Sequence, residues 1–438
     1  MALAQYTSRG RIFHGWYIVA VAIIANASAG VGNYTFGLFV DPMGQSLGWS
    51  RTAISWALAI RAVLNMFAGP VLGPIVDRRH GAMLLMTFGG IVLGISLMLI
   101  SGVQQLWQFY ILFGMATGVA TMAVGPQLVT PTIISKWFVR KRGRAIAIST
   151  VGNNVGGVIL IPLAAFIILN YGWREAWLVI GVLAFLTIAP LSALFIRRTP
   201  EDIGLLPDGD VKGQMTDAPA SGRRADLATE YDWTLREAAR TPALWLIVLA
   251  ITLAGTGFAG LPIHVIPALT DKGYSTAYAS ALIALFSVVV IVGKPIWGFL
   301  GEAVQVRYLM MASFIIAAGG MLVLVVVPSG PRILLFPVVY GIGVSGFLPL
   351  MNLMWANYFG RASLGTIRGA VLPITQITVA ISPVFAGYIF DSTGSYFRAF
   401  LTFTICYVLS TVSIFLAPRP EAPLKGSHVP SLSNDGST

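Results

Sequence analysis

Residues 279–300 read ASALIALFSVVVIVGKPIWGFL, an apolar run broken by one charge, Lys294. A helix needs about 20 apolar residues to span a bilayer, and this run is long enough. A cation inside such a span costs roughly 3 kcal/mol on insertion. Chains keep one where it faces a polar cavity and has a task there. The run is therefore read as one wall of a transport pathway, with an anion as the partner of Lys294.

The rest of the chain is consistent with that wall. Hydrophobic residues make up 56% of 438 and charged residues 10%, where a soluble protein carries about 25% charged residues. Several other apolar stretches are long enough to span. The single cysteine, Cys406, lies in an apolar run, which excludes a disulfide framework and a cysteine-rich metal site. Arg9 and Arg11 precede the first apolar run, and Ala25-Asn26-Ala27 has the small residues of a cleavage site. Apolar character resumes through Tyr34-Thr35-Phe36-Gly37-Leu38-Phe39. That is too long for a signal peptide, so an uncleaved first span is expected.

Twelve spanning helices are expected. The first six cover residues 14–40, 52–76, 82–101, 107–135, 143–169 and 173–196; the second six cover 243–269, 276–299, 308–328, 332–357, 367–390 and 395–417. They form two bundles, residues 1–196 and 241–418. A polar linker, 197–240, joins them and holds Pro200, Pro207 and Pro219; a Pro/Ser-rich tail, 419–438, is expected to be disordered.

An even number of spans puts both termini on one side. Lys136, Arg361 and Arg368 are counted in the loops of that side, and Arg51, Arg174, Lys272, Arg332 and Arg398 on the other. The bias is roughly four to one, which makes the basic side cytoplasmic and the protein a resident of the plasma (inner) membrane. The same bias accounts for the net charge of +11 without nucleic acid. Arg140 to Arg144 is read likewise as a topology or lipid-headgroup feature.

The halves repeat. Gly73-Pro74-Ile75-Val76-Asp77 after the second span has an echo in Gly298-Phe299-Leu300-Gly301-Glu302 after the eighth. Phe138 to Gly143 has one in Phe359 to Gly369. Both recur at about 220 residues, as duplicated six-helix halves require.

On these residues the chain resembles the major facilitator superfamily. Gly73-x-x-x-Asp77-Arg78-Arg79-x-Gly81 is similar to that family's signature loop, without its final basic residue, since Ala82 and Met83 follow. The resemblance implies an inner-gate charge network at Asp77, Arg78 and Arg79. His14-Gly15-Trp16-Tyr17, Lys136-Trp137-Phe138, Lys141-Arg142-Gly143-Arg144-Ala145 and Lys294-Pro295 resemble the monocarboxylate transporter and oxalate/formate antiporter branch. That branch carries an arginine before the proline, in contact with a substrate carboxylate; here Lys294 stands there. Proton-coupled members carry an aspartate one turn earlier, where this chain has Val290.

Depth can be read from the loop charges at 1.5 Å per residue. Lys294 and Gln376 lie about 12 Å inside the basic boundary, Gln127 and Asn352 about 14 Å, and Asn153, Asn154 and Asn26 about 14–15 Å. The hydrocarbon core is about 30 Å thick, so these side chains converge near its middle, where transporters of repeated halves bind substrate. The bland alternative is that the amides only join neighbouring helices. Arg61 lies about 24 Å above Asp77, with Asn65 one turn on. It is either a substrate ligand or an interfacial anchor snorkelling to water. His264, beside Gly255, Gly257 and Gly260, is an interfacial histidine or a protonatable outer gate. Asn33 and Tyr34 are expected along the path, and Gly152-x-x-x-Gly156 permits close helix packing.

The expectation is an all-α membrane protein that moves a small organic anion, most simply a monocarboxylate, by alternating access as a monomer. No ATP motor, cofactor, metal spacing or hydrolytic triad is found. Every acidic residue lies in a loop, a tail or at a helix end, so uniport, anion exchange and proton symport all remain open. The rival readings are a facilitator for a neutral or amphipathic solute and a non-transporting membrane sensor.

Overall fold

The computed structural model describes residues 12–30, 35–210, 231–327 and 330–421. Asn33 and Tyr34, part of the linker and most of the tail lie outside them. The described residues form helices and no strands. The first half holds α1 (His14–Ala29), α2 (Phe36–Leu47), α3 (Arg51–Asp77), α4 (Gly81–Ile100), α5 (Leu106–Trp137), α6 (Arg142–Asn170) and α7 (Trp173–Phe195). The second holds α8 (Pro242–Asp271), α9 (Thr276–Ala303), α10 (Val306–Val326), α11 (Pro331–Phe359), α12 (Leu364–Thr393) and α13 (Phe397–Leu416). Eleven of these are long and apolar enough to cross a membrane, α1 and α2 being the shorter two.

Local signals set the ends. Ser50, Thr241 and Ser275 accept from the backbone N–H three residues on, capping α3, α8 and α9. Gly48 and Gly394 close α2 and α12 in the left-handed conformation.

Three boundaries differ from the sequence reading. The expected first span, 14–40, is two helices, and α2 runs on to Leu47 through Pro42. The expected fourth span, 107–135, is interrupted: α5 holds a π-helical stretch, Tyr110–Ala116, and leaves helical geometry over residues 125–128. Pro126 in that gap has no N–H to continue a ladder, and Gly125 runs extended at φ −89°, ψ 178°. Finally, α12 begins at Leu364, so Arg368 is a buried helical residue and not a loop charge.

Each half has its own apolar core. One gathers Ile54, Phe109, Phe113, Trp137 and Trp177; the other Phe314, Phe336, Tyr340, Phe359 and Phe403. Large apolar side chains such as Phe67, Phe88, Leu169 and Val292 point outward, as lipid-facing surfaces do. The halves meet along α3 against α12 and α6 against α9. These contacts need bare backbone: a Cβ on Gly73 would lie 2.4 Å from the Gly365 carbonyl, and one on Gly143 would lie 2.3 Å from that of Gly298. The two pairs are counterparts in the repeat, and both sit at the end where the basic loops cluster, called the basic end below.

Gly73→Val should therefore pry that end apart. Overpacking of this kind costs about 1–3 kcal/mol. In a Cys406→Ser background, a cysteine at the buried position Val76, which packs against Gly365 of the other half, should react with a water-soluble maleimide about ten-fold faster in the Gly73→Val protein. Equal rates would show that the contact does not hold the end closed.

Candidate functional site

Two cations are buried at mid-depth. Lys294 on α9 is 4% exposed and Arg368 on α12 is 3% exposed. Among the described residues, neither forms an ion pair. Neutral oxygens solvate them instead. Lys294 Nζ donates across the halves to the Thr150 carbonyl at 3.0 Å and to Asn154 Oδ1, both on α6. Arg368 Nη2 donates to Asn352 Oδ1 and to the Gln127 carbonyl, each at 2.6 Å. Arg368 Nη1 and Asn352 Nδ2 are buried with no partner, leaving two donors free for an acceptor.

The gap in α5 makes this possible. Outside a helix, the carbonyls of residues 125–128 need other donors. Thr130 Oγ1 donates to the Gly125 carbonyl at 3.2 Å and Arg368 takes the Gln127 carbonyl. Irregular backbone at membrane depth is tolerated where protein or a cavity surrounds it. Here a cavity of about 120 Å³ lies beside it. Gln127, Arg368, Thr375 and Gln376 supply its polar lining, and Phe258, Phe347, Met351 and Trp355 its apolar lining.

The expected layer thus divides. Lys294 and Asn154 are bonded together; Gln127 and Asn352 gather around Arg368; Gln127 and Gln376 line the cavity. Lys294 does not line that cavity. Asn153, half-buried, neighbours Asn154 on α6. Asn26 takes the bland role: its Nδ2 donates to the Ser149 carbonyl at 2.8 Å and its Oδ1 accepts from Thr130 at 3.2 Å. Arg61 does not snorkel. It is buried against Gly118, its guanidinium 5.8 Å from the Phe113 ring, and both its Nη1 and Asn65 Oδ1 lack partners. His264 is held at both nitrogens, by the Pro383 carbonyl at 2.8 Å and the Tyr396 hydroxyl at 3.3 Å. The carbonyl fixes the proton on Nε2.

The sequence reading missed Arg368 as a site residue, having placed it in a loop. It also had Asp77 pair with loop arginines, but Arg78 and Arg79 are exposed and Asp77 has other partners. Lys136, also assigned to a loop, is buried and its Nζ lies 2.6 Å from Asp77 Oδ1. The carboxylate further accepts from Gly365 N at 3.2 Å, Thr366 N at 2.7 Å and Thr366 Oγ1 at 2.8 Å, all at the start of α12. The repeat supplies a second such contact. Glu302, at the end of α9, accepts from Arg144 N at 3.1 Å and pairs with its guanidinium at 2.8 Å, at the start of α6. Arg361 adds a bond to the Lys136 carbonyl at 3.0 Å and one to Glu201 at 2.9 Å. The described bonds between the halves lie at the basic end and at mid-depth, so the path is shut on the basic side.

Comparison with known proteins agrees with this architecture. The profile of the Major Facilitator Superfamily matches residues 22–279 and 261–430. Rat (Rattus norvegicus) monocarboxylate transporter 12 is 24% identical over 437 residues, covering 96% of this chain and 88% of that protein. Among solved structures, the proton:xylose symporter XylE is similar with a TM-score of 0.74 at 13% identity, covering 92% of this chain and 96% of that one. A human organic anion transporter is similar with a TM-score of 0.68 at 14% identity, covering 91% and 99%. The chain belongs to the Major Facilitator Superfamily of membrane transport proteins.

Proposed function

We propose that this transporter carries a small organic anion, a monocarboxylate, by alternating access through one chain, in a plasma membrane whose cytoplasmic side is the basic end. The observation that carries the reading is the pair of buried cations, Lys294 and Arg368, with no acid beside them. Uncompensated charge at membrane depth is costly, and a bound carboxylate offsets that cost. The free donors, Arg368 Nη1 and Asn352 Nδ2, suit its two oxygens. Phe258, Phe347 and Trp355 suit an apolar body. The name of the rat relative points the same way. Gln127, Gln376, Asn153 and Asn154 orient the substrate, and Arg61 extends the positive field toward the opposite end.

Lys294→Ala and Arg368→Gln should each raise KM for a short carboxylate about ten- to a hundred-fold, the worth of hydrogen bonds to a charged group. Lys294→Arg should keep part of the activity. Uptake into proteoliposomes measures both, and unchanged KM in both neutralised variants would remove the cations from the site.

Alternating access requires the bonds at Asp77 and Glu302 to open. Asp77→Asn keeps the shape but loses the charge facing Lys136 and the α12 N-terminus. Inward-open states should gain population, turnover should fall, and equilibrium binding should change little. Accessibility of a cysteine at Val76, which packs against Gly365 across the halves, reads the shift; if the substitution leaves it unmoved, Asp77 is not part of the gate.

No described span carries a mid-depth acid: Asp77 and Glu302 cap helices at the basic end, while Asp41, Glu175, Asp271 and Asp391 lie toward the opposite one. With no acid at mid-depth and both His264 nitrogens taken up by Pro383 and Tyr396, the reading is charge-carrying uniport or anion exchange. Proteoliposomes loaded with a pH dye and clamped with potassium and valinomycin should show no internal acidification when substrate is added. Acidification beyond that of uncharged-acid permeation would establish proton coupling instead, and its loss in His264→Ala would identify the carrier.

A further inference from the structure

A second cavity, of about 330 Å³, opens beside the gate but off the path, between the α3–α4 turn and the segment after α7. Arg79, Arg197 and Arg198 line it together with His80, against one acid, Asp202. Its apolar lining is Met83, Ile196 and Ile203. The three arginines are not equally committed. Arg197 Nη1 donates to the carbonyls of Ala193 at 3.2 Å and Ile196 at 2.8 Å, where its charge also faces the C-terminal end of α7. Arg198 Nε stands 3.5 Å from Asp202 Oδ2, yet it is buried without a hydrogen-bond partner. Arg79 has neither an ion pair nor a hydrogen bond among the described residues.

The position matters as much as the charge. The helices that bound the cavity, α4 and α7, turn large apolar side chains outward, among them Phe88 and Leu186. Leu194, one residue from the end of α7, is 64% exposed. The cavity therefore begins where the lipid-facing band stops and the basic loops start, at the depth of headgroups. Guanidinium groups bind phosphate through parallel N–H bonds, and basic pockets at this level of a membrane protein recognise anionic headgroups.

We propose that this cavity binds a phosphate group, with the guanidinium groups of Arg79 and Arg198 as its ligands and Arg197 strengthening the field. Two sources share that chemistry, the headgroup of an anionic phospholipid and free phosphate. Arg79 sits two residues from Asp77, so an occupant would hold the turn that carries the gate carboxylate.

The test uses the full chain purified in a neutral detergent, with thermal unfolding followed by tryptophan fluorescence. One arm adds phosphatidylglycerol against phosphatidylcholine; the other adds inorganic phosphate against chloride at equal ionic strength. The wild type should be stabilised in one arm or both. Arg79→Gln and Arg198→Gln should each need about five-fold more of the effective ligand, the effect of one basic residue near a membrane surface. Arg236→Gln removes an exposed arginine outside the cavity and should respond as the wild type does. A response to phosphatidylglycerol alone assigns the lipid as the source, and one to inorganic phosphate assigns the free ion. Should a glutamine variant melt early without ligand, Arg198→Lys replaces it, keeping the charge while losing the fork. The proposal is overturned if the wild type responds to neither ligand, or if the cavity variants respond as strongly as Arg236→Gln.

Discussion

A carboxylate at the end of one helix, held by backbone N–H groups at the start of another, is the interaction on which the closed end of this protein depends. The first N–H groups of a helix have no partners within it and carry partial positive charge. Asp77 meets those of α12, and Glu302 meets that of Arg144 at the start of α6. In each case donor and acceptor belong to opposite halves. The bonds exist only while the halves touch, and water can replace them when the halves part. The glycine contacts beside them, Gly73 with Gly365 and Gly143 with Gly298, let the backbones approach closely enough for those bonds to form. Duplication of the chain makes one latch into two.

Mid-depth follows the opposite rule. At the basic end the gate acids Asp77 and Glu302 each have a cationic partner, whereas Lys294 and Arg368 have only carbonyl and amide oxygens. Dipoles of that kind stabilise a buried cation but do not neutralise it. Mid-depth is thus positive, and the lining near Arg368 is largely apolar, with Phe258, Phe347, Met351 and Trp355 beside the guanidinium.

Much of the fold was legible because spans are long, apolar and punctuated. The helices Arg51–Asp77, Gly81–Ile100 and Trp173–Phe195 end within a residue or so of where the apolar runs placed them. Lys294 was legible for the same reason, a charge with no company. Arg368 and Lys136 were not, because depth was counted from the charges themselves. A charge near a loop was taken to mark the water boundary, whereas both of these fold inward onto partners from distant sequence: Asn352, Gln127 and Asp77. The bonds of Asn26 were not legible for a related reason, since its partners Ser149 and Thr130 lie on other helices and no periodicity reports them. The interruption of α5 did have a signal, Gly125 followed by Pro126 in an apolar run, a pair that marks a turn.

That interruption gives the first half a hinge. Beyond the gap at residues 125–128 the last piece of α5, Val129–Trp137, is a separate short rod. No continuous ladder of i to i−4 bonds crosses the gap, so bending there breaks no helical hydrogen bond. The short rod carries Lys136, clasped to Asp77, and its base abuts Arg368 through the Gln127 carbonyl. The longer rod, up to Val124, stays with α3 and α4. Swinging the short rod would therefore pull on the Lys136–Asp77 ion pair and on the Arg368 guanidinium in one stroke.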